Sequence, residues 1–201
     1  MNEVNGTKID FSAEELKTIP KLNLKSFFEL VEHLAKDMEV KTGIDYRVPI
    51  AHASNESAQG NSGLCRNYCN LFGITATPSW KANNGAICYL PTWEHIKTYD
   101  LDKFKKYHYD IIKKEEYADE KRTLYTLKVE MKREFRAYKN WKESFEDWAK
   151  LISNLSVYQG AYKLLKVKET VKEGILAYMK VWATDIHGGQ TVLKIYESLI
   201  V

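Results

Sequence analysis

Asn70-Leu71-Phe72-Gly73-Ile74 sets a bifunctional amide, an apolar ring and a glycine side by side. Gly73 permits a close backbone approach that a side chain would block. Phe72 offers an apolar wall, and the Asn70 amide can both donate to and accept from a sugar or a backbone group. On its own the segment reads as a loop entering a buried strand. Upstream of it stands Asn55-Glu56-Ser57-Ala58-Gln59-Gly60, and far downstream Trp182-Ala183-Thr184-Asp185.

Working outward, Ser12 followed by Glu15 is a capping-box pattern for a short helix that Pro20 ends or redirects. Leu24, Phe27, Phe28, Val31, Leu34, Ala35 and Met38 recur at three- and four-residue steps up to Gly43, which predicts an amphipathic helix with a glycine stop. Pro49 sits where a first helical turn tolerates it, and Ile50, Ala51, Ala53 and Ser54 then lead to Glu56 near the end of a short, largely buried helix. Ala86 to Leu90 reads as a strand, and Thr123 to Met131 alternates as a half-exposed strand does. Between them, residues 99–121 are rich in charge and tyrosine, with Leu101, Phe104, Tyr107, Ile111 and Ile112 at roughly helical spacing. This stretch is expected to be an insertion at the tip of a β-hairpin. Asn140 with Glu143 starts a further helix through Phe145, Trp148, Ala149 and Ile152, continued by Val167, Val171, Leu176 and Met179, and Val192, Leu193, Tyr196 and Leu199 close the chain. Helix dominates and one small sheet interrupts it: an α+β fold.

With 201 residues, 44% of them hydrophobic, the chain fits one domain with a sizeable core. The expected division is an N-terminal helical scaffold over 1–47 and a site-bearing region over 48–201. The formal charge of +3 is the small difference between 30 basic and 27 acidic side chains, so no global field calls for nucleic acid. There is no Gly-rich phosphate loop and no basic-aromatic nucleic-acid motif. Residues 1–8 lack the apolar core of a signal peptide, and nowhere does an apolar stretch reach the roughly 20 residues of a membrane span, so no membrane insertion is expected. Cys65, Cys69 and Cys88 are too few for a disulfide framework. Buried or free thiols are the first reading, and one disulfide from Cys88 to Cys65 or Cys69 the second. A zinc site from these three and His95 matches no familiar spacing. His52, one turn before Glu56, reads as a packed helix histidine, with orientation of Glu56 as its alternative.

Glycosidic cleavage needs a proton donor for the leaving oxygen and, usually, a second carboxylate to activate water, act as nucleophile or steady the oxocarbenium-like transition state. Glu56, following small and apolar helix residues, meets the first need, because partial burial would raise its pKa and keep it protonated. Its surroundings, Glu56-Ser57 with Gly60 and Ser62, together with Asn70 to Ile74, Phe135-Arg136-Ala137-Tyr138, Ser144-Phe145 and Trp182 to Asp185, resemble the glucosaminidase family of peptidoglycan hydrolases, glycoside hydrolase family 73, which includes flagellar muramidases, autolysins and phage lysins. The resemblance covers about residues 48–201. Departures are Gln59 in place of the aromatic before the glycine, Trp182 in place of a tyrosine, and Ile186 in place of a proline.

That resemblance implies a lysozyme-like, mostly helical domain with a β-hairpin lobe. It implies hydrolysis of the glycan strand of peptidoglycan at the GlcNAc-β-1,4-MurNAc bond, with Glu56 as general acid and no metal or organic cofactor. The family carries its second carboxylate on the hairpin in a Thr-x-Glu-aromatic setting. Pro91-Thr92-Trp93-Glu94-His95 resembles it, and Glu116-Tyr117 is the alternative frame. Asn70, Phe72, Tyr138 and Trp182 become candidate substrate-binding residues, while Asp185 is read as bracing the turn at His187-Gly188-Gly189. Two rivals stay open: a muramidase or lytic transglycosylase cutting the other linkage, and a non-catalytic wall-binding or phage-structural module. A wall target without an export signal implies delivery by lysis, on a phage particle or by a secretion machine. An immunity protein or another partner of the 99–121 stretch also stays open.

Overall fold

The computed structural model describes residues 3–4, 7–8, 11–102, 110–118, 123–183 and 186–199. They form two compact units, one from residues 1–74 and 136–201 and one from residues 75–135.

The first unit is helical, apart from a two-residue hairpin in which β1 (Glu3–Val4) pairs antiparallel with β2 (Thr7–Lys8). Helix α1 (Ala13–Leu16) opens as its sequence predicts, with the Glu15 carboxylate accepting from the Ser12 amide at 3.0 Å and from its hydroxyl at 2.8 Å. Helix α2 (Leu24–Thr42) is capped by Asn23 and stopped by Gly43, whose φ of +74° lies in the left-handed region that favours glycine. Its predicted stripe, Phe27, Val31, Leu34, Ala35 and Met38, is buried. Each large side chain of that stripe contributes about 1.5–3 kcal/mol on leaving water. Phe28 lies at the edge of the stripe and stays half-buried.

Helix α3 (Arg47–Ser57) is different in kind, since every residue from Val48 to Ser54 is buried. A helix apolar or small on all sides belongs in a core rather than on a surface, and α3 packs against α2 and against the last helix, α9 (Ile186–Ser198). Asp45 fixes that junction. Its carboxylate pairs with the Arg47 guanidinium and accepts from the Tyr196 hydroxyl of α9 at 3.1 Å. Burial pushes the Asp45 carboxyl up, but the Arg47 bonds outweigh it and hold the group below its usual range.

After α3 come α4 (Gly63–Tyr68) and, beyond the second unit, α6 (Trp141–Asn154), α7 (Gln159–Leu165) and α8 (Val171–Trp182). The Asn140 cap of α6 forms as expected, accepting from the Glu143 amide at 3.0 Å. The helical pattern expected to run on through Val167 is broken instead. Leu155 turns extended at φ −75° and ψ 130°, a 3-10 turn follows over Ser156–Tyr158, and Val167 lies exposed between α7 and α8.

The second unit holds α5 (Pro78–Ala82) and three strands, β3 (Ile87–Thr98), β4 (Asp110–Ala118) and β5 (Thr123–Arg136), with β5 central in the order β3-β5-β4. Strands β4 and β5 are antiparallel, Ala118 facing Thr123 and Asp110 facing Glu130, with an irregularity between Ile111 and Lys113. The expected insertion is therefore, over residues 110–118, a third strand. Pairing with β5 along its length holds it in that form, and exposed ion pairs fit it: Lys113 meets Glu115 at 2.6 Å and Lys114 meets Glu116. Residues two apart share a face of a strand but not of a helix. Residues 103–109 and 119–121 of the same stretch lie outside the described residues. Cys88 in this unit, like Cys65 and Cys69 in the first, is buried and outside any disulfide, in line with the first reading of the cysteines.

Candidate active site

Glu56 is the penultimate residue of α3, where the buried helix reaches the surface. Its side chain keeps 26% of its exposure, whereas His52, four residues earlier on the same helical face, keeps none. The chain must leave α3 abruptly for that carboxyl to stay uncovered. Ala58 and Gln59 take left-handed φ of 51° and 55°. Ser57 secures the turn, its hydroxyl donating to Ala53 O at 2.6 Å and accepting from Gly60 N at 2.7 Å. Ser62 then caps α4 by accepting from Cys65 N at 3.2 Å. The two serines of the Glu56 motif are thus builders of the elbow that presents the acid. Arg66 braces it further, donating to Gly60 O and to the carbonyls of Leu16, Ile19 and Pro20.

The two oxygens of Glu56 have different neighbours. Oε1 accepts from the Asn55 amide at 3.3 Å and lies 3.8 Å from His52 Nε2. Oε2 faces Gly73, where an added Cβ would sit 3.6 Å from it on a backbone of φ +64°. Any L residue at 73 would be strained by that backbone, and its Cβ would sit in van der Waals contact with the carboxyl. Burial raises the Glu56 pKa above the usual carboxylate value, opposed by the Asn55 bond. Desolvation of this kind favours the protonated form of a carboxyl, which is the form a general acid needs.

Rings line the site. Trp182 stands edge-on to His52 at 4.7 Å and 85°, Phe72 and Tyr178 each reach it at 5.4 Å, and Trp148 at 6.3 Å. Phe72 also stacks on Trp148 at 5.5 Å and meets Phe145 edge-on at 5.3 Å. Trp182 is half-buried while Phe72 is fully buried. Of this pair only Trp182 keeps contact with solvent.

The other sequence-chosen residues occupy braced positions. Asn70 is buried, donating to Ile74 O at 2.9 Å and Arg136 O at 2.8 Å and accepting from Ile74 N at 3.0 Å. Of its two readings, sugar or backbone, its amide serves the backbone. The Tyr138 hydroxyl donates to Asp147 at 2.6 Å, and Asp147 accepts both bonds of Arg136 Nη1, at 2.7 and 2.9 Å. The Ser144 hydroxyl accepts from Leu71 N at 3.1 Å and so ties α6 to the Asn70 segment. Glu94 belongs to β3 and its side chain lies outside the described residues, as does Asp185. Glu116 is an exposed β4 residue paired with Lys114.

Sequence reasoning passed over Asp147, Trp148 as a polar group, and Tyr178. A spacing of four places Tyr178 on the same helical face as Trp182, as it places His52 beside Glu56, and that was the available signal. The Tyr178 hydroxyl is pushed well up, by burial first and by the Glu56 charge second. Among the described residues no three acidic, histidine or cysteine groups converge as metal ligands.

Residues 32–200 match the profile of a family described as Glucosaminidase, mannosyl-glycoprotein endo-beta-N-acetylglucosaminidase. The fold is similar to the catalytic domain of the autolysin Auto from Listeria monocytogenes, at 24% identity and a TM-score of 0.61 over 92% of this chain and 90% of that one. It is also similar to the glycoside hydrolase domain of FlgJ from Salmonella typhimurium, at 18% identity and a TM-score of 0.56 over 89% of each chain. A peptidoglycan hydrolase from Sphingomonas sp. A1 aligns at 17% identity and a TM-score of 0.59 over 86% of each chain. Comparison with curated protein sequences gives no match.

Proposed function

The chain belongs to the glucosaminidase family of glycoside hydrolases, and from that premise we propose that it cuts the glycan strand of peptidoglycan at the GlcNAc-β-1,4-MurNAc bond with Glu56 as general acid. The observation that carries this reading is the setting of Glu56: its pKa raised by burial, its side chain still a quarter exposed, on a braced elbow with Oε2 beside Gly73. Protonated Glu56 donates to the glycosidic oxygen as the bond from that oxygen to the anomeric carbon breaks. The sugar left behind takes on oxocarbenium character and is completed by water.

Glu94 is the proposed second carboxylate, on the strength of its Pro91-Thr92-Trp93-Glu94-His95 setting. The engagement of Glu116 with Lys114 supports Glu94 over it. Trp182, with a ring but no hydroxyl, is the proposed stacking surface for a sugar. Asn70, Phe72 and Tyr138 act behind it by holding the loop and wall in place. The target is the cell wall, and among the described residues no helix is long and apolar enough to cross a membrane.

The test is release of reducing sugar ends from purified peptidoglycan by the parent protein, Glu56→Gln and Glu94→Gln. Glu56→Gln is expected to lose about 10²- to 10⁴-fold in kcat, the usual contribution of general acid–base catalysis. Undiminished release by a folded Glu56→Gln would sink the general-acid assignment. Undiminished release by Glu94→Gln would remove only the second assignment.

A further inference from the structure

His52 is fully buried, yet one of its two ring nitrogens is left over. Trp148 Nε1 lies 3.0 Å from His52 Nδ1. An indole N–H can only donate, so Nδ1 must be the accepting nitrogen and the neutral ring must carry its proton on Nε2. That Nε2–H has no hydrogen-bond partner among the described residues. Glu56 Oε1 lies 3.8 Å from it. Burial also drives the His52 pKa down to about 3, so the ring is neutral wherever such an enzyme would work. Leaving a buried donor unpaired costs stability, and a partner that engages it during the reaction would recover that cost.

Building on the general-acid reading, we propose that His52 is a positioning residue: locked by Trp148 as the Nε2–H tautomer, it donates to Glu56 Oε1 and thereby leaves Oε2 as the oxygen that carries the proton to the substrate. The geometry fits this division of labour. Asn55 Nδ2 and His52 Nε2 both lie beside Oε1, at 3.3 and 3.8 Å, while Oε2 is the oxygen on the Gly73 side. A small turn of the carboxyl closes the 3.8 Å gap, and contacts of this kind commonly run long in unliganded sites and tighten around substrate. The groups around His52 are the rings of Phe72, Trp148, Tyr178 and Trp182. Of the titratable groups, Glu56 and the Tyr178 hydroxyl face the pair.

Two variants separate positioning from packing. In His52→Gln the side-chain carbonyl can accept from Trp148 and the amide can donate to Glu56. In His52→Leu neither is possible, at similar volume. His52→Gln is expected to keep kcat within about threefold of the parent, and His52→Leu to lose at least about tenfold in kcat with KM little changed, the pattern of a contact made in the transition state. The donor favours ionised Glu56. Its loss therefore raises the Glu56 pKa, and the alkaline limb of the kcat/KM profile moves to higher pH in His52→Leu but not in His52→Gln.

Nitrogen NMR of the parent protein is expected to show His52 neutral and protonated on Nε2 from pH 5 to 8, and carbon NMR of the Glu56 carboxyl to show the same upward shift in His52→Leu without any turnover. If His52→Leu does not fold, Trp148→Phe replaces it. Freeing Nδ1 is expected to give a mixture of tautomers and a loss in kcat. A histidine found protonated on Nδ1, an unshifted Glu56 titration in His52→Leu, or equal losses in the Gln and Leu variants would each overturn the proposal. An active Glu56→Gln would instead remove the reading beneath it.

Discussion

Ionising Glu56 works against the fold, because its carboxylate is desolvated more than its one Asn55 bond restores. A carboxyl whose pKa is raised on folding favours the native state most when protonated, below the unfolded pKa, and loses that contribution as pH rises through the folded value. Glu56→Gln, which removes the charge and little volume, should therefore melt higher than the parent at pH 7, with the gap closing as pH falls through the carboxylate range. A variant that melts lower at pH 7 would contradict the assigned environment. Asn70 gives the opposite kind of prediction. Asn70→Ala leaves Ile74 N and the carbonyls of Ile74 and Arg136 without their side-chain partner. At about 1–3 kcal/mol for a stranded buried group, urea denaturation should show a loss of at least about 2 kcal/mol. The chemistry open to Asn70 and Glu56 is readable from residue type and order. Which partner each one takes is not, because a glycan and a backbone carbonyl make the same demand on an amide and only tertiary placement decides between them.

Elements with strong local signals form where their patterns predict. The stripe of α2 with its Gly43 stop, the Ser12–Glu15 box and the Asn140 start of α6 are all set by residues within a few positions of one another. The largely buried α3 was legible too, from its run of small and apolar residues before Glu56. Residues 110–118 were not, since Ile111 and Ile112 fit a helical stripe while the decisive clue was the spacing-by-two of opposite charges. The elbow between α3 and α4 hid its reason as well. Ser57 and Ser62 belong to a motif that looks chemical, yet both make backbone bonds. Ser62→Ala should cost about 1 kcal/mol as a lost helix cap and lower catalytic turnover modestly through the elbow, without shifting the pH profile. A change in that profile would mean that Ser62 touches the reacting groups directly.

At the scale of the molecule, one unit, helical, carries Glu56, His52 and Trp182, and the other, with three strands, carries Glu94. Family and helical fold followed from a few short motifs because those motifs hold the acid, the loop against it and the aromatic wall together. The division into two compact units was not visible, since no linker or shift of composition marks residues 75 and 135. The account's central claim is tested most directly by mass spectrometry of peptidoglycan digested by the parent protein and by Glu56→Gln, after borohydride reduction of the new ends. It predicts reduced GlcNAc ends with the parent and none above background with Glu56→Gln. MurNAc or anhydro-MurNAc ends, or GlcNAc ends that persist undiminished in Glu56→Gln, would contradict it.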